Sequence, residues 1–162
     1  MKILILGATR GLGKEVLKEA LSLNFEINCL VRNKNKFPIE HKNINIFEGD
    51  ANCLEDLSNA LNESNVVIST LNVMRRNLFP WSKIINGKNT ISNSSKNIIE
   101  ISKTKKINHF ISVSAWGVNE SQQYIPIWFK FLIKYSNLKY PYIDHGRNEK
   151  ILINSKLNWT IL

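Results

Sequence analysis

The chain has 162 residues, of which 43% are hydrophobic and 22% charged, with a formal net charge of +9. That size and composition suit one globular domain, residues 1–162, able to bury a core. No apolar run is long enough to span a membrane, and Cys29 and Cys53 stand in no metal-binding or redox spacing.

The first apolar stretch runs straight into a glycine turn, which is not the pattern of a signal peptide. The two cysteines are expected to be buried, reduced thiols, and the setting cytoplasmic. Lys and Arg are spread along the chain without aromatic interleaving. We therefore expect a solvated basic surface and no nucleic-acid partner. A bound nucleotide phosphate would also gain from that positive field.

The opening residues predict a strand, Lys2 to Leu6 (KILIL). Gly7-Ala8-Thr9-Arg10-Gly11-Leu12-Gly13 follows at once. Residues 14–23 then show helical spacing, with Val16, Leu17, Ala20 and Leu21 able to share one face. Strand, glycine turn and helix in that order are the context of a dinucleotide-binding turn. Gly7 suits a tight turn, Gly11 a close approach to pyrophosphate, and Gly13 close packing of helix on sheet. The helix N-terminus offers free N–H groups and partial positive charge to the phosphates.

Residues 25–31 (FEINCLV) predict a second strand ending at Arg32-Asn33-Lys34. An acid about 20 residues after the turn would select the ribose 2′-OH of NAD. Here the position holds Arg32, with Arg10 inside the turn. Two guanidinium groups suit a 2′-phosphate, which predicts NADP over NAD. The other reading makes both ordinary surface arginines.

Residues 43–48 (NINIFE) predict a third strand, closed by Gly49-Asp50-Ala51. Asp50 suits two roles, accepting from an adenine amino group or capping the helix predicted at 54–61. Residues 65–69 (NVVIS) predict a fourth strand that would carry Thr70 and Leu71 to the cofactor side. The polar stretch 72–87, with Arg75, Arg76 and Trp81, is expected to be a surface loop, the other reading being a wall of the site.

A long helix is predicted over 90–102, with basic residues just beyond it. A fifth strand follows at 107–113 (INHFISV). Ser114 stands at its end, where a hydroxyl could bond a substrate carbonyl or satisfy loop backbone. The apolar stretch 125–135 (IPIWFKFLIKY) is expected to be core, with a lid or a subunit contact as the other readings. A last amphipathic helix is predicted over 143–155 and a sixth strand over 157–162. Asp144 or His145 would lie near the mouth of the site. Strands alternating with helices predict an α/β, doubly wound Rossmann fold with a six-stranded parallel sheet.

Several of these stretches, in this order and at these intervals, resemble the atypical short-chain dehydrogenase/reductase superfamily on its NmrA-like, NAD(P)H-binding branch. They are GATRGLG at 7–13, LVRN at 30–33, EGDA at 48–51, VISTL at 67–71, FISVSAWGV at 110–118 and NEKILINSKLNWTIL at 148–162. The branch includes proteins similar to flavin and biliverdin-IXβ reductases and also cofactor-binding regulators without chemistry. The resemblance implies that Gly7, Thr9, Arg10, Leu12 and Gly13 hold the pyrophosphate and that Arg32 meets the 2′-phosphate. It implies that Asp50 and Ala51 border the adenine, Thr70 and Leu71 the nicotinamide ribose, and that Ser114 faces the reacting centre.

Two departures stand out. The superfamily's Tyr, followed four residues later by Lys, should fall near Pro141 and His145, where neither type occurs. Tyr135 and Lys139 have the spacing but not the register. Relatives also continue past WTIL, so the substrate pocket is expected to be open, completed by a partner, or lost. The expected function is an NADP-dependent oxidoreductase passing hydride to a small acceptor such as a flavin or quinone. The alternative is a non-catalytic NADP(H)-binding module that serves a protein partner.

Overall fold

Lys2–Leu6 forms β1, Glu26–Val31 β2, Ile44–Glu48 β3, Val66–Ser69 β4, His109–Ser112 β5 and Trp159–Ile161 β6. The computed structural model describes residues 1–37 and 39–162. All six strands are parallel in the order β3-β2-β1-β4-β5-β6. The chain winds outward one way to β3, returns to β4 beside β1, and winds out the other way. β1 is thus central, with Ile5 paired to Cys29 on one side and Ile68 on the other. A parallel strand buried on both faces needs a continuous apolar run, and Ile3, Leu4, Ile5 and Leu6 are all buried.

Side chains alternate across the sheet. Ile3, Ile5, Ile27 and Cys29 meet Leu17 and Ala20 of helix α1, Gly11–Ser22, on one face. Leu4, Leu6, Val67 and Phe110 pack on the other face. There they meet Leu57 of α2 (Leu54–Ala60), Ile98 of α3 (Thr90–Ile101) and Leu152. Helix α4 spans Ile127–Tyr135, and α5, which carries Leu152, spans Lys139–Ile153. The doubly wound, six-stranded parallel sheet expected from the sequence is the fold observed.

The α3–α5 contact is polar although it is buried. Asp144, fully buried on α5, accepts from the backbone N–H groups of Ile91 (2.8 Å) and Ser92 (3.2 Å) and from Ser92 Oγ. It thus caps α3 from a different helix, where the α3 cap residue Asn89 makes no capping bond with its side chain. One turn on, buried Asn148 donates to Ser112 Oγ of β5 (2.9 Å) and accepts from Ser95 Oγ of α3. These bonds fix the azimuth of α5 as well as its height above the sheet.

Four expectations need correction. Helix α1 starts at Gly11 rather than residue 14, because glycine tolerates the first turn and Arg10 takes the extended cap position. Helix α5 starts at Lys139 rather than 143. Pro141 sits in its first turn, where the missing N–H has no helical partner anyway. Helix α4 is not core. None of its nine residues is buried, and Ile127 and Trp128 are 73% and 68% exposed. It leans on α5 through an edge contact between Phe129 and Tyr142, and no second layer covers it among the described residues. Finally, only Cys29 is buried, where desolvation pushes its thiol up to about 12. Cys53 is exposed at the N-cap of α2.

Replacing Asp144 by Ala strands two buried N–H donors at the start of α3. We expect it to destabilise the fold by about 1–3 kcal/mol, read as a lower denaturation midpoint. Asn should retain part of that stability. A midpoint unchanged in the Ala variant would show that water satisfies this helix end.

Candidate functional site

The glycine turn joins β1 to α1 at the point where the sheet order reverses. Gly7 adopts φ +90°, a conformation that L side chains rarely take. A Cβ on Gly13 would overlap the Gly7 carbonyl and Thr70 Oγ1, so α1 touches the ends of β1 and β4 directly. Thr70 locks the other side, its backbone N–H (2.9 Å) and Oγ1 (3.0 Å) both donating to the Leu6 carbonyl. At Gly11, by contrast, a Cβ would meet nothing within 4 Å. Among the described residues no side chain caps α1, and no acid lies in its first turn. Its N-terminal N–H groups and dipole are therefore free to hold an anion.

This turn forms one wall of a cleft of about 870 Å³, within the range of small-molecule and cofactor sites. All twelve residues singled out from the sequence line it: Gly7, Thr9, Arg10, Gly11, Leu12, Gly13, Arg32, Asp50, Ala51, Thr70, Leu71 and Ser114. Arg32 follows β2, and its Nη2 lies 2.9 Å from Met74 Sδ on the facing wall. Asp50 holds its own loop, with Oδ1 accepting from Asn52 N (2.9 Å) and Nδ2 (2.7 Å). Cys53, not Asp50, is the N-cap of α2, so of the two roles read for Asp50 the capping one is not made. Arg10, Arg32, Arg75 and Arg76 also line the cleft, which favours a polyanionic ligand.

The stretch 72–87 is more than a surface loop. Residues 72–78, Asn86 and Gly87 form a wall of the same cleft. Asn86 Oδ1 accepts from Met74 N (2.6 Å), Ile85 N donates to Met74 O, and Arg75 bridges to Ile84. The segment is a folded-back hairpin, in which the Asn77, Ser82 and Asn86 side chains accept from its own backbone.

At the far end stand Ser114 and His145. Ser114 Oγ donates to Glu149 Oε1 at 2.5 Å, and the other oxygen, Oε2, accepts from Asn119 Nδ2 at 2.6 Å. His145 lines the cleft although only 3% of it is exposed. Burial holds its imidazole below the usual histidine range, partly opposed by the Asp144 and Glu149 carboxylates. Burial thus favours its neutral form. Its Nδ1 is buried with no hydrogen-bond partner among the described residues. Asp144 takes no place at the mouth, being committed to α3. No cluster of three metal-ligating side chains occurs among the described residues. The uncapped helix end, the open side of Gly11 and the four arginines fit a dinucleotide.

Residues 7–162 match the NAD(P)H-binding family model. The photosystem II assembly factor Ycf39 of Cyanidium caldarium is 28% identical over 129 residues, 78% of this chain and 38% of that protein. The chain thus spans well under half the length of that curated relative. Among solved structures, ChuY, an anaerobillin reductase of Escherichia coli O157:H7, superposes with a TM-score of 0.78 at 17% identity, over 99% of this chain and 71% of that one. A short-chain dehydrogenase/reductase of Veillonella parvula in complex with NADP gives 0.74 at 20% identity, over 99% and 67%. At those identities the likeness is one of fold. The family match covers the turn, the cleft walls and every strand except β1, and the chain belongs to the NAD(P)H-binding family.

Proposed function

We propose that the chain is an NADP(H)-dependent oxidoreductase domain that passes hydride to a small conjugated acceptor such as a flavin or quinone. One observation carries this reading: a single cleft runs from two arginines, Arg10 and Arg32, past an uncapped helix end to Ser114 and His145. Arg32 occupies the place where an acid would bind a free ribose hydroxyl, and a guanidinium fork matches phosphate oxygens. Gly7, Thr9, Arg10, Gly11, Leu12 and Gly13 hold the pyrophosphate in this reading. Asp50 and Ala51 border the adenine, and Thr70 and Leu71 the nicotinamide ribose.

When bound, the reduced cofactor supplies the hydride. The protein's part is to orient an acceptor above it and keep water away. Ser114 is the orienting group. With its proton given to Glu149, its oxygen can accept from an N–H of a flavin. It donates to a carbonyl only by leaving Glu149. The setting proposed is cytoplasmic, consistent with free cysteines. No helix among the described residues is long and apolar enough to cross a membrane.

A second reading is a cofactor-binding module that serves a protein partner without chemistry. It is supported by the similarity to assembly factors and by the uncovered aromatic face of α4, where Trp128, Phe131 and Tyr135 are all exposed.

Thermal melts with NADPH, NADP and NADH test the cofactor assignment, since a ligand that binds only the fold stabilises it. The largest shift is expected with the phosphorylated cofactors. Arg32→Ala should weaken NADPH by about tenfold or more and leave NADH unchanged. Equal shifts with NADPH and NADH would overturn the NADP preference, and no shift with any would overturn both readings.

Ser114→Ala separates binding from turnover. We expect NADPH affinity to be retained and flavin or quinone reduction to fall by about an order of magnitude. Unchanged turnover removes Ser114 from the reaction. Tight NADPH binding by the unaltered chain with no reduction of any flavin or quinone favours the second reading.

A further inference from the structure

Helix α4 carries a row of exposed side chains. Ile127, Phe131 and Tyr135 recur one helical turn apart and share a face, with Trp128 beside them. The rings of Phe131 and Tyr135 stack with centroids 5.9 Å apart. The 72–87 hairpin extends this row. Trp81 Nε1 donates to the Tyr135 carbonyl (2.9 Å), and Asn137 Nδ2 donates to the carbonyls of Trp81 (2.9 Å) and Ser82 (3.0 Å). Phe79 lies against Trp81, ring centroids 5.4 Å apart. Hairpin and helix thus make one ridge from Phe79 to Ile127, and every ring named on it except that of Phe129 is more than half exposed.

The ridge is set in charge of one sign. Residues 72–88 and 121–143 contain no Asp or Glu, yet they hold Lys83, Lys88, Lys130, Lys134 and Lys139. Glu120 precedes the second stretch and Asp144 follows it, the latter buried and committed to α3. The helical period puts Lys130 and Lys134 along one flank of the aromatic row. Lys134 Nζ stands 5.2 Å from the centre of the Tyr135 ring, so its stem can follow apolar surface while its charge stays at the edge.

That charge selects the occupant. A second copy of this chain would set these lysines against one another with no carboxylate to pair them, so the ridge suits an anionic surface. A protein partner is anchored by side chains seated in pockets. Here the rings stand out from the fold, and no residue of α4 lines the cleft. A bilayer asks only for protruding apolar and amphipathic aromatic groups flanked by cations. The indole N–H of Trp81 already has its partner in the Tyr135 carbonyl, so that ring can enter an apolar layer without stranding a donor. Helix α4, nine residues long, is too short to cross a bilayer and suits lying along one.

We propose that the ridge of α4 and the 72–87 hairpin docks the domain on an anionic lipid bilayer. The rings of Trp81, Trp128 and Phe131 enter the boundary between headgroups and acyl chains, and Lys130 and Lys134 meet the lipid phosphates. The proposal concerns a face outside the cleft and does not rest on the cofactor reading.

The test is co-sedimentation of the full chain with vesicles of phosphatidylcholine alone and of equal parts phosphatidylcholine and phosphatidylglycerol. The chain should pellet with the mixed vesicles and not with phosphatidylcholine. Trp128→Ser/Phe131→Ser and Lys130→Glu/Lys134→Glu should each lower partitioning into mixed vesicles by about tenfold or more. Lys103→Glu/Lys106→Glu, an equal charge change beyond α3 at the end of the sheet away from the cleft, should lower it far less. A melt checks that each variant is folded. On the unaltered chain, acyl-brominated lipid in mixed vesicles should quench tryptophan emission, which needs no variant. Failure to pellet with mixed vesicles, or pelleting without quenching, overturns the proposal; the first leaves the face to an acidic protein. An equal loss in both charge variants with none in Trp128→Ser/Phe131→Ser overturns it too, since net charge alone would then drive binding. A dimer in solution that Trp128→Ser/Phe131→Ser disperses overturns it in favour of a second copy. NADPH binding is unaffected in every case, so the cofactor reading stands or falls separately.

Discussion

The contact of Gly13 with the Gly7 carbonyl and Thr70 sets the rest of the molecule. There α1, β1 and β4 meet with no room for a single added methyl group. The closeness puts the first turn of α1 over the gap left by the reversal of strand order, which is the gap that open α/β sheets use for ligands. Were α1 pushed outward by a Cβ, its dipole would no longer point into the cleft. Arg10 and Arg32 would then face a space without an anion-binding floor. Every cleft residue from Gly7 to His145 takes its meaning from that one approach.

A second, independent device holds the opposite wall. The α3–α5 seam is stitched by Asp144, Asn148, Ser92, Ser95 and Ser112 rather than by apolar packing alone. Apolar contacts tolerate rotation of a helix about its own axis, whereas directional bonds on successive turns do not. His145 lies between two of these bonds, so the seam that stabilises the domain also aims a group at the site. Glu149, one turn beyond His145, reaches Ser114 and Asn119. One helix face thus serves α3, β5 and the cleft together.

The parts of this molecule that local chemistry decides were legible in the sequence. A β-branched or leucine-rich run such as KILIL has few alternatives to a buried strand, and GATRGLG has few alternatives to a tight turn into a helix. The cleft residues carried by strand ends followed from those two facts. What was not legible depends on partners far away in sequence. Helix α4 is apolar nearly all round, a pattern read as core, and only the lack of a covering layer among the described residues reveals its exposure. Asp144 looks like any polar helix residue until α3 arrives 53 positions away in sequence. The loop 72–87 read as irregular because its order comes from Asn86 bonding Met74, a pairing with no periodic signature. Pro141 masked the true start of α5, since proline in a first turn resembles a proline before a helix.

The register of β1 has a consequence for how the domain comes together. Ile3 pairs with Ile27 on one side, 24 positions away, and with Val66 on the other, 63 positions away. Loop-closure entropy makes the second pairing costlier by about 0.9 kcal/mol, and topologies dominated by distant pairings fold more slowly. The two wings of the sheet can each be assembled from nearer neighbours, leaving the β1–β4 line as the seam between them. The cleft lies along the end of that seam. A molecule that touches both the α1 turn and the β4 terminus is therefore a clamp across the joint the chain finds hardest to close.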